Sequence, residues 1–150
     1  MTCIQHYDSP LGGILLAADD DGLTGLWFDG EKYFADHLPA EHTERATPVL
    51  AQTARWLDIY FTGREPDFLP PLHPIGSAFR QTVWEILLQI PYGRTTTYGE
   101  IAQQLAERRG CTRMSAQAVG GAVGHNEISI IIPCHREAYR GNHGLYSVCS

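Results

Sequence analysis

Residues 95–110 read TTTYGEIAQQLAERRG, and residues 115–124 read SAQAVGGAVG. The first stretch starts a helix capped by Thr97 or a preceding threonine, and Glu100 stands three positions after Thr97, as in a capping box. After a Gly-containing turn a second short helix follows. Two short helices joined by a turn, the second poor in bulk, suggest a helix-turn-helix. The second helix carries adjacent glycines, Gly120 and Gly121, at a cost of about 1 kcal/mol each against alanine. That cost is tolerated where another backbone must come close. A neighbouring helix, a DNA backbone and a minor-groove floor all qualify.

Upstream, SAFRQTVWEILLQIPYG (residues 77–93) predicts a helix capped by Ser77, with Phe79, Val83, Trp84, Ile86, Leu87 and Ile90 as its core stripe. Before it, REPDFLPPLHPIG holds four prolines and cannot be regular helix. Residues 66–76 therefore read as a linker between an N-terminal domain (1–65) and a C-terminal one (77–150). The N-terminal part reads as a β-meander: TCIQHYD, ILLAA and LTGLWF are apolar runs separated by SPLGG and DDDG. Residues 31–46 are polar and predict irregular structure or a short helix. TPVLAQTARWLDIYFTG predicts a helix capped by Thr47, with Pro48 in its first turn and Gly63 at its end. Val49, Leu50, Thr53, Trp56, Leu57 and Tyr60 share its apolar face. The fold class is α+β.

The chain has 150 residues and a net charge of −6, which argues against a nucleic-acid partner, but the charge is uneven. Residues 1–75 hold 4 Lys/Arg against 12 Asp/Glu, whereas residues 76–150 hold 7 against 5, and all seven are arginine. The second half is compatible with phosphate contacts. No apolar run is long enough to span a membrane, and MTCIQHYDSP lacks the features of a signal peptide. The expected location is the cytoplasm. Cys3, Cys111, Cys134 and Cys149 are widely spaced without a C-x-x-C, which supports neither a disulfide framework nor a four-cysteine zinc site.

Beyond the second helix, HNEISIIIP predicts a buried strand or extended segment leading into Cys134, His135 and Arg136. A thiolate is the reactive form of cysteine, and neighbouring cations or a histidine base favour it. Asn126, just past the glycine-rich helix, is placed to brace the turn that carries Cys134. A cysteine hydrolase needs a histidine distant in sequence and close in space. A zinc deaminase needs H-x-E and P-C-x-x-C, which are absent here. Alkyl transfer to the thiolate is the third chemistry.

IIPCHR, preceded by AVGGAVGHN, TTTYGEIAQQLA and AFRQTVWEILLQIPYG, resembles the O6-alkylguanine-DNA alkyltransferases, also called methylated-DNA–protein-cysteine methyltransferases. The resemblance runs from YDSPLGGILLA through Arg136. It implies an N-terminal ribonuclease H-like domain with a small antiparallel sheet and a mainly helical C-terminal domain with a winged helix-turn-helix. The partner would be double-stranded DNA containing O6-alkylguanine, entered from the minor groove with the damaged base flipped into a pocket. By motif position Cys134 is the alkyl acceptor, His135 its base through water, and Asn126 the residue that holds the active-site turn. Tyr98 assists rotation of the target phosphate and donates a proton as guanine leaves. Ser115, Gln117, Ala118, Val119, Gly120, Gly121 and Arg136, with Tyr98, would contact DNA. Gln117 stands where many members have arginine, and Glu127 where proline is usual. The resemblance implies a single-turnover, monomeric protein without cofactor. Some relatives carry a structural zinc, for which Cys3 and His73 alone make no case.

After Arg136 the chain reads EAYRGNHGLYSVCS and departs from the family pattern. Tyr146 lies one residue closer to Cys134 than the pocket tyrosine of the pattern. No residue stands by motif where a glutamate orients the histidine; Glu137 is the nearest acid. Two alternative expectations follow, an alkylated-DNA-binding module and an inactive remnant.

Overall fold

The computed structural model describes residues 1–30, 34–36, 38–90, 97–110 and 114–132. The chain forms two compact units that divide between Ile75 and Gly76.

The first unit holds β1 (Thr2–Ser9), β2 (Gly12–Ala18), β3 (Leu23–Phe28), β4 (His42–Glu44) and helix α1 (Pro48–Tyr60). The expected meander forms: β1–β2 and β2–β3 are antiparallel, with Leu16 opposite both Gln5 and Leu26. The sheet order is β3-β2-β1-β4. Because β4 runs parallel to β1, with Cys3 opposite Thr43, the sheet is mixed rather than purely antiparallel. β4 falls in the segment expected to be irregular or helical. Its three residues are all exposed, so no apolar alternation announces it; pairing to β1 alone makes it a strand.

Central β2 is buried on both faces. On one face Ile4, Leu15, Ala17 and Trp27 cluster under Ala35 and Leu38. The alternate set, Ile14, Leu16 and Leu26, points the other way and is buried to 1% or less. Helix α1 covers that face with Leu50, Thr53, Trp56 and Leu57. Its start is as expected: Thr47 Oγ accepts from the Leu50 N–H at 3.2 Å and Pro48 occupies the first turn. Tyr7 on β1 ties the helix down by donating its hydroxyl to Asp58 Oδ1 at 2.5 Å.

The Pro-rich stretch is not a free tether at its centre. Leu23 N–H donates to Pro71 O at 2.8 Å and His73 N–H to Leu23 O at 2.7 Å. His73 Nδ1 lies 2.8 Å from Asp19 Oδ2. Gly22 permits this approach, since a Cβ there would stand 2.7 Å from the Pro71 carbonyl oxygen.

The second unit holds α2 (Ala78–Leu88), α3 (Tyr98–Arg109) and α4 (Ala116–Gly124). Ser77, Thr97 and Ser115 cap these helices, each accepting from the N–H three residues on at 3.1–3.2 Å. Gly110 ends α3 in the left-handed conformation. The core is built from Val83, Trp84, Ile86 and Leu87 of α2, Ile101 and Leu105 of α3, and Val119, Ala122 and Val123 of α4. Phe79 and Ile90 of the expected stripe are half-buried, and Phe79 lies under the Arg109 guanidinium at 5.3 Å.

Candidate active site

α4 divides into two faces. Val119, Ala122 and Val123 are buried, while Ala116, Gln117, Ala118, Gly121 and Gly124 are exposed. The exposed face is thus made of alanine and glycine around one carboxamide, a shallow uncharged surface. Ser115 opens the helix with its hydroxyl committed to the Ala118 N–H. Of the residues expected to touch DNA, Ser115, Gln117, Ala118 and Gly121 lie on this face. Val119 does not: it is 0% exposed, and its side chain belongs to the core.

The two glycines differ. A Cβ on Gly120 would stand 3.2 Å from Tyr98 Cε2 and 3.4 Å from Cδ2, whereas one on Gly121 would meet nothing within 4 Å. The half-buried Tyr98 ring, on the first residue of α3, therefore lies against the Gly120 backbone. The helical cost of Gly120 is accounted for by packing against Tyr98, whereas no described residue would meet a Cβ at Gly121.

Trp84 fixes the far end of α4. Its indole N–H donates to the Ala122 carbonyl at 3.0 Å across the buried α2–α4 contact. Sequence reading treats Trp84 as packing alone; the available signal is that a buried indole N–H requires an acceptor. One turn on, Asn126 begins the segment that leads to the cysteine.

That segment is not the expected strand. Residues 127–132 form successive turns apart from a bridge position at Ile128, although Glu127 through Ile132 are all buried. Ile130 has φ +71°, which bends the chain where a strand would continue. Ile131 N–H donates to Ser129 O at 2.8 Å and Ile132 N–H to Ile128 O at 3.1 Å. Asn126 closes the whole turn: its Nδ2 donates to Ile132 O at 2.6 Å, and its Oδ1 accepts from Ile128 N–H at 2.9 Å. The isoleucines look like a strand because they are buried, but burial here comes from a turn packed into the unit.

Ile132 is followed in sequence by Pro133, Cys134, His135 and Arg136. These four, with Cys111, Glu137, Tyr146 and Cys149, lie outside the described residues. Glu127, expected to bring negative charge near the site, is 2% exposed, so its side chain is in the interior of the turn region. For metals, among the described residues Asp19, Asp21 and His73 bring ligand atoms within 4.8 Å of one another. Asp19 is already occupied there by the Asp21 and Gly22 N–H groups and by His73. Cys3 is a buried free thiol outside that group.

Residues 4–74 match the ribonuclease-like domain of 6-O-methylguanine DNA methyltransferase, and residues 78–143 match its DNA-binding domain. The chain belongs to the methylated-DNA–protein-cysteine methyltransferase family. Within this family it is 39% identical to the methylated-DNA–protein-cysteine methyltransferase of Haemophilus influenzae over 132 residues, covering 87% of this chain and 70% of that protein. The namesake of Methanosarcina barkeri is 42% identical over 136 residues, covering 88% and 81%. Among solved structures, Mycobacterium tuberculosis O6-methylguanine methyltransferase superposes with a TM-score of 0.75 at 33% identity, over 99% of this chain and 90% of that one. The Mycobacterium tuberculosis OGT solved in complex with DNA gives 0.73 at 36% identity, over 90% and 77%. The family fold, an α+β arrangement of a small sheet domain and a helical domain, is the one described above.

Proposed function

We propose that this chain repairs DNA by direct reversal, moving an alkyl group from O6 of guanine to the sulfur of Cys134. The observation that carries the reading is the Asn126 clasp on the Ile128–Ile132 turn. It braces the backbone as far as Ile132, the last residue before Pro133-Cys134-His135-Arg136 in the sequence.

In the reaction the Cys134 thiolate attacks the alkyl carbon in line with the carbon–oxygen bond. A carbon–sulfur bond forms, the carbon–oxygen bond breaks, and the electron pair leaves with guanine. His135, through water, takes the thiol proton. Tyr98 returns a proton to the departing base and steers the target phosphate. A thioether does not hydrolyse, so each molecule acts once. The exposed Ala/Gly face of α4 suits the floor of a minor groove, where backbone approach replaces side-chain reach. Gln117 on that face fills part of the space left by the flipped base and hydrogen-bonds there without charge. Arg136 joins the DNA contacts. The chain acts as a monomer in the cytoplasm.

The test is on the DNA. A duplex carrying one O6-methylguanine is incubated with excess protein and hydrolysed to nucleosides. Guanine should appear in one-to-one ratio with protein consumed, and a Cys134→Ala variant should restore none. Lesion persisting with the wild-type protein overturns the reading. The sequence after Arg136, EAYRGNHGLYSVCS, departs from the family pattern and favours one second reading: a module that grips alkylated DNA without repairing it. Selective retention of the lesion duplex without any restored guanine is its signature.

A further inference from the structure

The adjacent glycines of α4 form a pair in sequence but not in space. Gly121 is exposed with open space at its Cβ position, and Gly120 is half-buried against the Tyr98 ring, where a methyl carbon in place of its hydrogen would stand 3.2 Å from Cε2. A contact of 3.2 Å is tighter than nine in ten real ones, so a methyl group there forces the ring to move by a few tenths of an ångström. Tyr98 sits at the first residue of α3, on a turn held by the Thr97 cap, and α4 is anchored by Trp84 to Ala122. The backbones that carry both sides of the contact are thus held, and the missing Cβ sets how deep the phenol lies.

We propose that Gly120 is a positioning residue for the Tyr98 hydroxyl. This rests on the alkyl-transfer reading, in which that hydroxyl meets the target phosphate and the leaving base. Gly120 acts on the reaction through the ring it seats. Gly121 in turn belongs to the DNA-facing surface, so a methyl group on either glycine impairs the protein by a different route.

The experiment compares Gly120→Ala and Gly121→Ala, each in the wild-type and in a Tyr98→Phe background. Single-turnover transfer is followed at saturating O6-methylguanine duplex, with circular dichroism to establish the fold. Tyr98→Phe keeps the ring and its packing and removes only the hydroxyl. Misplacing a group by a fraction of an ångström slows Gly120→Ala by about tenfold in the wild-type background. In the Tyr98→Phe background the same substitution adds no further loss, because there is no hydroxyl left to misplace. The Gly121→Ala effect persists in both backgrounds. Ring-labelled tyrosine adds an NMR readout independent of transfer: the Tyr98 signal shifts in Gly120→Ala and stays in place in Gly121→Ala. Three results overturn the proposal: Gly120→Ala transferring at the wild-type rate, an equal loss in the Tyr98→Phe background, or an unmoved Tyr98 signal. Wild-type protein that transfers nothing overturns the functional reading instead, and the Tyr98 signal then decides the seat alone.

Discussion

Asn126 shows how one side chain can define a turn. Its carboxamide offers a donor and an acceptor in fixed relation, and the turn uses both, on Ile132 O and Ile128 N–H. Asn126→Ala leaves a buried carbonyl and a buried N–H to find other partners, at about 1–3 kcal/mol. Asn126→Asp retains the acceptor but turns a second oxygen toward the Ile132 carbonyl. Both variants should melt at lower temperature and transfer methyl groups at least about tenfold more slowly, in keeping with the cost of misplacing a reacting group. An Asn126→Asp protein with unchanged melting and rate contradicts the clasp. Asn126 was legible in the sequence because short amides brace turns locally. The role of Gly120 was not, because what it accommodates, Tyr98, lies on another helix; the sequence records only that a glycine is tolerated.

Among the elements, the helices were legible and the irregular pieces were not. Thr47, Ser77, Thr97 and Ser115 each cap as their residue type suggests, since an N-cap is a local hydrogen bond. β4 and the Ile128–Ile132 turn escaped because tertiary pairing and packing, rather than local pattern, create them. The Trp84–Ala122 bond predicts that Trp84→Phe, which keeps the ring volume approximately and loses the N–H, destabilises the second unit by about 1 kcal/mol; chemical denaturation checks it, and an unchanged midpoint contradicts it. In the first unit the Tyr7–Asp58 bond clamps α1 to β1. Burial, then the hydrogen bond to Asp58 and its negative charge, push the Tyr7 phenol from 10.0 to about 12. The folded state thus favours the neutral phenol. The stabilisation is complete below pH 10 and fades as pH rises from 10 toward 12. Thermal melts across that window should fall more steeply for wild type than for Tyr7→Phe; parallel curves contradict the clamp. Asp19 has the opposite sign. Burial raises it, but the Asp21 and Gly22 N–H groups and His73 outweigh burial and hold it below 3.8. Its stabilisation is therefore present above that value and lost in acid.

At the scale of the molecule, the proposed function has an acidic protein meet DNA through a face of α4 with no charge on it. The first half of the chain carries 12 acidic against 4 basic residues, and the second half holds seven arginines. Some are engaged within the protein: Arg108 lies 3.8 Å from Glu85, and Arg109 covers Phe79. Few phosphates can then be neutralised, so the logarithm of duplex affinity should fall with the logarithm of salt at a slope of about −2 to −4. A slope of about −8 contradicts binding through the small-residue face of α4. The charge asymmetry was visible in composition, whereas the stitching of Pro71 and His73 onto Leu23 depends on backbone hydrogen bonds that composition does not encode. In the proposed reaction Cys134 keeps the alkyl group it removes. The most direct measurement is the intact mass of the protein before and after excess O6-methylguanine duplex, followed by peptide mapping. Each molecule should gain one methyl group, on the peptide containing Cys134 and on no other; an unchanged mass, or a methyl group on another cysteine, contradicts alkyl transfer to Cys134.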